Sequence, residues 1–316
     1  MTAQPVSVAS AASGSVAWPE LPLAPWADSY ATLHMLTQIV GKTRLALAPM
    51  QNHWWQVTLY VTERGLTTSS MPYGDRAATV DFDFIHHNVA IRTSAGETRT
   101  IPLVQRSVRD FYVEYLDVLG ALGIGAKIRG VPVEVETAIP FAEDTQHASY
   151  DSEAVNRWWR VMVQVDRVLK KFRGRFEGKA SPVHFFWGSF DIAATRFSGR
   201  GAPLHPGGAP NCPDYVMHEA YSRECSSAGF WPGGGTQEAA FYSYVYPEPD
   251  GYRDYPVRPE AAYYDSSVRE FILPYDAVRN AASPDDMLLD FFESTYEAAA
   301  DRAAWDRKLL ERNVNQ

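Results

Sequence analysis

Residues 184–191 read His-Phe-Phe-Trp-Gly-Ser-Phe-Asp, and they begin a stretch to Gly235 in which aromatic residues, glycines and ionisable residues alternate closely. Solvent-facing loops need few aromatic rings and apolar cores need few charges, whereas a concave ligand site combines apolar walls with a few placed polar groups. We read His184–Asp191 as a strand. The stretch therefore predicts a β-rich unit that carries a small-molecule site.

The sequence after this strand completes a β-β-β-β-α unit, at about residues 181–305. Further strands are predicted at Ala220–Ser227, Phe241–Tyr246 and Arg269–Leu273. A helix then begins at Ser283, which is a favourable N-cap residue, followed by Pro284 at the first helical position.

An earlier unit, at about residues 50–123, has the same order of elements. Its predicted strands are His53–Thr62, Val80–Phe84, Val89–Thr93 and Arg99–Leu103, and its helix is capped by Ser107 and ends at Gly123. The repeated order predicts an α+β fold of two units of about four strands each, related by a pseudo-twofold axis.

The remaining elements connect these units into one module, residues 18–316. We predict a first helix from Ala27 to Val40 that stops at Gly41, a connecting strand at Val131–Val135, and a long amphipathic helix from Ser152 to about Phe176. Residues 1–17 are rich in Ala, Ser, Val and Gly and are predicted to be a disordered tail.

Composition narrows the class of protein. The 316 residues carry a formal net charge of −9, which disfavours nucleic acid as a partner. Two cysteines do not form a disulfide framework, and no apolar run approaches the length of a membrane span. Residues 1–41 contain no Lys or Arg, which argues against a secretory signal. We therefore expect a cytoplasmic protein that does not enter a membrane; oligomeric state is not readable.

Two residues are candidates for catalysis. His184 shares its strand face with Phe186 and Gly188, so it is either a buried core histidine or a base beside a close-packed ligand. If Glu224 lay beside His184 on a paired strand, the two would form an acid/base pair. Solvent exposure of Glu224 is the alternative.

The candidate ligand-binding residues fall into two sets. The aromatic walls of the predicted pocket are Trp54, Trp187, Phe230 and Trp231. The polar groups are Ser189, Asp191, Arg196, Ser222 and Ser226, with Asp191 and Arg196 expected to orient the ligand. The alternative is that the rings form an ordinary core.

No motif names a metal or a cofactor. The histidines show no ligand spacing, and no Gly-x-Ser-x-Gly elbow is present. The run from Gly229 to Thr236 has the glycine interval of a phosphate-binding loop, but Gly235 stands where the lysine is required. The cofactor and the reaction stay open.

The motifs His184–Asp191, Thr195–Arg200 and Ser227–Gly233 resemble those of a bacterial family known only as a domain of unknown function. The resemblance extends from Trp18-Pro-Glu-Leu-Pro through Asn52-His-Trp-Trp to Tyr296-Glu-Ala-Ala-Ala. It implies one full-length module and no activity.

Three functions fit these observations. The first is an enzyme that acts on a small polar or aromatic molecule in a pocket between the two units. The second is a binding protein that uses the same pocket without catalysis. The third is a structural or partner-binding protein with an aromatic core.

Overall fold

The computed structural model describes residues 17–312, which form two antiparallel sheets of six strands each together with helices. The predicted α+β class is confirmed. Each sheet has six strands instead of about four, because three short strands (Gly65–Thr67, Met71–Tyr73 and Tyr263–Asp265) were missed and Asp191–Gly201 is a separate long strand. The division into two units and their pseudo-twofold relation stay predictions, and residues 1–16 of the predicted tail lie outside the described residues.

The first sheet contains strands β1–β6. Its strand order is β1-β2-β4-β5-β6, with β3 paired to β4, and the bounds are β1 Tyr60–Val61, β2 Gly65–Thr67, β3 Met71–Tyr73, β4 Arg76–Asp83, β5 Asn88–Thr93 and β6 Thr98–Pro102.

The second sheet contains strands β7–β12, and its order is β11-β12-β10-β9-β8-β7. The bounds are β7 His184–Phe186, β8 Asp191–Gly201, β9 Arg223–Trp231, β10 Ala240–Tyr246, β11 Tyr263–Asp265 and β12 Glu270–Pro274. The predicted strands at 241–246 and 269–273 are confirmed.

The α-helices of the described residues are α1 Ala27–Leu47, α2 Val108–Ala121, α3 Ser152–Gly174, α4 Asp214–Ala220, α5 Tyr275–Arg279, α6 Pro284–Arg302 and α7 Arg307–Leu310. Ser107 caps α2 as predicted, because its side chain accepts a hydrogen bond from the backbone N–H of Asp110. The long amphipathic α3 is also confirmed.

One hydrophobic core runs through both sheets. The apolar face of α3 packs against strands of each sheet, and Trp158 on that face is fully buried. A pair of backbone hydrogen bonds between Leu59 and Phe185 links the two sheets directly, at 2.8 and 2.9 Å.

The side chains of strand β10 show which face of the second sheet packs against the core. Phe241, Ser243 and Val245 are buried, and Phe241 packs against Phe292 of α6. The intervening tyrosines point to the opposite face, since side chains alternate along a strand.

Two predicted strands were wrong because the backbone leaves the β conformation. Residues 52–57 form a 3-10 turn in which His53 and Trp54 have φ near 60°. Glu219 and Ala220 anchor this turn by hydrogen bonds to His53. The strand predicted at 184–191 breaks after Phe186, and the chain turns at Phe190, φ 59°, into β8.

Three other predictions were also wrong: the start of one strand, the existence of another strand, and the end of the first helix. The strand predicted at 220–227 begins three residues later, because α4 occupies residues up to Ala220. Residues 131–135 form no strand. Helix α1 continues through Gly41, where a Cβ atom would overlap the indole of Trp187, so this glycine allows close packing and does not end the helix.

Candidate functional site

A cavity of about 580 Å³ lies on the face of the second sheet that is turned away from α6. The strand register builds its floor: Tyr263 pairs with Ile272, Ile272 with Tyr242, and Tyr242 with Gly229. Glu270 lies two residues before Ile272 and therefore on the same face. The volume falls within the range of small-molecule sites, about 300–1,000 Å³. We call it the tyrosine–carboxyl cavity.

Asp191, the first residue of β8, is the most constrained carboxyl group in the cavity. It is 8% exposed, and its two oxygens accept hydrogen bonds from the hydroxyls of Ser189 and Tyr242. Burial raises the pKa of Asp191, because the charged form loses its hydration. The side chain is thus held in one orientation.

Tyr242 reaches Asp191 by crossing the strand that lies between them. The ring passes over Gly229 of β9, where a Cβ atom would come within 2.5 Å of the phenol carbon of Tyr242. Glycine in a strand interior permits this kind of close approach. The absence of a side chain at residue 229 therefore allows the Tyr242–Asp191 contact.

Four more carboxyl groups line the cavity, and two of them, those of Glu134 and Glu270, resemble Asp191 in having raised pKa values. Glu134 comes from the loop before α3 and packs against Gly188, where a Cβ atom would overlap its carboxylate. Burial raises the pKa of each glutamate to about 7, and repulsion by Asp191 adds to the shift. Three carboxyls with raised pKa values thus converge on one space.

Lys42 lies near Glu134 but is not among the cavity-lining residues. It is 4% exposed, and its ammonium lies 5.5 Å from the ring centroid of Trp187. Burial lowers the pKa of Lys42 to about 8, which leaves it close to losing its proton at neutral pH.

A group of tyrosines also lines the cavity. The rings of Tyr242 and Tyr244 stack with centroids 6.1 Å apart, and the hydroxyls of Tyr244 and Tyr221 share a hydrogen bond of 2.8 Å. Burial raises the pKa of all three phenols, so they remain protonated donors at neutral pH.

Three of the predicted ligand-binding residues, Ser189, Asp191 and Trp231, line this cavity. The other six are absent from its lining. Trp187 donates to the Val57 carbonyl at 2.7 Å, and Phe230 packs in the core against Phe241.

Three more of the predicted ligand-binding residues, Trp54, Ser222 and Ser226, also do not line the cavity. Trp54 lies beside Tyr215, with ring centroids 5.9 Å apart, and the Ser222 hydroxyl donates to the Glu219 carbonyl. Ser226 is buried opposite Arg196 on the paired strand.

Arg196, which was expected to orient the ligand, is buried in the core and is not among the residues that line the cavity. Its guanidinium lies 3.5 Å from the ring centroid of Phe172 and 4.3 Å from that of Tyr296, and it pairs with Glu293 at 3.1 Å. Arg196 therefore forms an ion pair within the core.

The structure does not bring His184 and Glu224 together. His184 pairs with Ala193, which pairs with Gly229, and Glu224 lies five residues further along β9, about 16 Å away along the strand. The two side chains cannot share a proton across that separation.

Each of these two residues has a separate environment. His184 is fully buried, neither of its ring nitrogens forms a hydrogen bond with any of the residues 17–312, and burial lowers its pKa to about 3. Glu224 accepts hydrogen bonds from Ser198 and Arg200.

The match with known proteins gives the family and no activity. A family model described as a family of unknown function, DUF5996, matches residues 18–312. The chain belongs to this family. No curated protein and no solved structure matches the chain significantly.

Within residues 17–312, no group of three or more His, Cys, Asp or Glu side chains is arranged to hold a metal ion. In the same range, no helix is both long and apolar enough to cross a membrane.

Sequence reasoning missed most of the residues that line the cavity, among them Glu134, Tyr242, Tyr244 and Glu270. The alternation Phe241-Tyr-Ser-Tyr-Val-Tyr246 contained a usable signal, because it places three tyrosines on one strand face. Glu134 had no such signal, since it lies in a loop far from the other residues in sequence.

Proposed function

We propose that this protein binds a small organic molecule in the tyrosine–carboxyl cavity and that Asp191 exchanges a proton with it as a general acid or base. The observation that carries this proposal is the buried carboxyl of Asp191, which is oriented by Tyr242 and Ser189 at the wall of a cavity of about 580 Å³. Such a combination is typical of functional sites.

The hydrogen bonds of Asp191 support an acid/base role. Each carboxyl oxygen accepts one hydrogen bond from a hydroxyl group, and a carboxyl oxygen has a second lone pair that a ligand can use. The raised pKa brings the carboxyl closer to neutral pH, where a general acid or base is most efficient. Glu134 and Glu270 are close enough to interact electrostatically with Asp191.

The earlier hypothesis of a His184–Glu224 pair has less support than Asp191. His184 is not among the cavity-lining residues, and its pKa of about 3 keeps it unprotonated near neutral pH. A purely structural role accounts for the buried rings of Trp187 and Phe230, but it does not explain three carboxyls gathered around a cavity.

Two variants test the proposal by separating binding from catalysis. Ala240 lines the cavity, so Ala240→Trp should fill it and abolish binding of compounds found in a thermal-shift screen against the wild type. Asp191→Asn should keep binding within about tenfold and lose turnover by about 100-fold or more.

Compounds that bind Ala240→Trp as tightly as the wild type would contradict the cavity as the site. Turnover that survives Asp191→Asn would contradict the acid/base role and leave a binding protein.

A further inference from the structure

We propose that the ligand of the tyrosine–carboxyl cavity is an organic cation, an ammonium group carried on a small apolar or aromatic body. This inference rests on the proposed function, because it assigns the ligand class of the same cavity. It follows from the charges of the lining residues, the carboxyls that lack partners, and the aromatic walls.

The charge of the cavity lining is of one sign. Five of the described lining residues are acidic, namely Glu134, Asp191, Glu238, Asp265 and Glu270, and none is Lys, Arg or His. A cleft whose walls carry charge of one sign and have a low dielectric constant concentrates the electric field, and it attracts ligands of the opposite charge. An anionic ligand would meet repulsion on every side.

The five carboxyls differ in whether the protein already satisfies them. Glu238 accepts a hydrogen bond from the backbone N–H of Leu23, and Asp265 accepts two from Ser267. Glu134 and Glu270 accept no side-chain or backbone hydrogen bond from the described residues, although both are largely removed from water. Because the described residues provide no donor to either carboxyl, a ligand that brings an N–H donor can pair with both.

The aromatic residues favour an organic cation over a fully hydrated ion. Trp231, Tyr242, Tyr244 and Tyr263 all line the cavity. An ammonium group over such rings gains cation–π attraction, and its carbon body gains apolar contact. Among the described residues, the carboxyls of the cavity are not grouped closely enough to hold a metal ion.

Binding of a cation should be coupled to proton release. Glu134 faces Asp191, Lys42 and Cys212, and Glu270 faces Asp191, Asp265 and nearby tyrosines. Burial, together with mutual repulsion among these carboxyls, raises their pKa values and keeps part of them protonated near pH 7, and an arriving ammonium favours their ionised forms. The affinity for the cation should therefore rise between pH 6 and pH 8.

The test compares three probes of similar shape and different charge: 2-phenylethylammonium, 2-phenylethanol and 3-phenylpropanoate. Calorimetric titration of the wild-type protein at pH 8 should show the cation binding at least about tenfold more tightly than the alcohol, with the carboxylate weakest. Titration at pH 7 in buffers of different ionisation enthalpy should show protons released as the cation binds.

Variants assign the effect to the carboxyls. Glu134→Gln and Glu270→Gln should each weaken binding of the cation by about tenfold and leave the alcohol unchanged. Glu136→Gln is the matched control, because Glu136 is exposed in the same loop as Glu134. It should bind the cation like the wild type.

Other outcomes would overturn the assignment. If the alcohol binds as tightly as the cation and Ala240→Trp abolishes both, the cavity is the site but the cationic class is wrong. If Mg²⁺ or Ca²⁺ alone displaces the cation and binds more tightly, the organic class is wrong. If the cation binds Ala240→Trp as it binds the wild type, both this inference and the proposed function fail.

Discussion

The hydroxyl group of Tyr242 donates a hydrogen bond to the carboxyl group of Asp191 across an intervening strand. Tyr242 lies on β10 and Asp191 at the start of β8, so the contact joins strands that are not neighbours. It fixes the carboxyl at the wall of the cavity and removes the phenol from solvent. The geometry of the candidate site depends on this pair and on the glycine that lies beneath it.

Gly229→Ala should disrupt the site. A methyl group at residue 229 would overlap the Tyr242 ring and the Ile192 carbonyl, so the ring must move away from Asp191. We expect a loss of about 1–3 kcal/mol in the free energy of unfolding, measured by urea denaturation. Gly201→Ala is the control, because a Cβ atom there meets nothing within 4 Å. Equal stability of the two variants would show that Tyr242 does not need this glycine.

Glu270→Gln should stabilise the unliganded protein at pH 8 and have little effect at pH 4.5. The folded state raises the pKa of Glu270 to about 7, so folding favours the protonated carboxyl. The contribution of the Glu270 carboxyl to the free energy of unfolding is therefore fully present below its unfolded pKa of about 4.5. It is lost as pH rises through 7 and the carboxyl ionises in the folded protein.

The expected gain at pH 8 is about 1–2 kcal/mol in the free energy of unfolding, measured by urea denaturation at both pH values. Glu134→Gln should behave alike, since its pKa is also about 7. A variant that is less stable than the wild type at pH 8 would show that the carboxylate is paired in the unliganded protein.

His184→Leu should leave ligand binding unchanged and reduce sensitivity to acid. His184 is buried and unprotonated with a pKa of about 3, whereas the unfolded chain takes up a proton below about 6.5. The wild type therefore loses stability as pH falls from 6.5 towards 3, and the leucine variant avoids that loss.

Thermal denaturation from pH 4 to pH 7 measures this difference. A loss of turnover without loss of stability in His184→Leu would restore His184 as a catalytic candidate.

Arg196→Met should destabilise the core without a direct effect on the cavity. The substitution leaves Glu293 without the buried guanidinium that pairs with it at 3.1 Å. Glu293 keeps a second partner, Arg175 at 3.7 Å, so we expect a cost of about 2–3 kcal/mol by urea denaturation. The control is Arg200→Met, which removes the half-exposed partner of Glu224 and should cost less than about 1 kcal/mol. Similar costs for the two variants would contradict the core role of Arg196.

The fold class and the longest elements could be predicted from the sequence because their signals are local. Helix α3 combines an apolar face of several turns with a capping residue, and β10 alternates cleanly. The segment from His53 to Thr62 also alternates, yet His53 and Trp54 adopt left-handed backbone conformations that contacts with Glu219 and Ala220 support. Tertiary contacts determine the backbone conformation of these residues, and an alternating pattern in the sequence carries no information about such contacts.

The candidate site was predictable only in part for the same reason. Ser189, Asp191 and Trp231 lie in the aromatic and glycine-rich stretch that drew attention to this region. Their partners Glu134 and Tyr242 lie about 50 residues away on either side, and strand register and loop position bring them in. His184 was placed beside Glu224 by a guessed pairing, and the observed register separates them.

Crystallographic fragment screening of the wild-type protein tests the central claim most directly, because it locates small molecules without assuming their identity. The account predicts that bound fragments concentrate in the tyrosine–carboxyl cavity, with polar atoms within hydrogen-bonding distance of Asp191. Fragments that bind repeatedly elsewhere while the cavity holds none would contradict it.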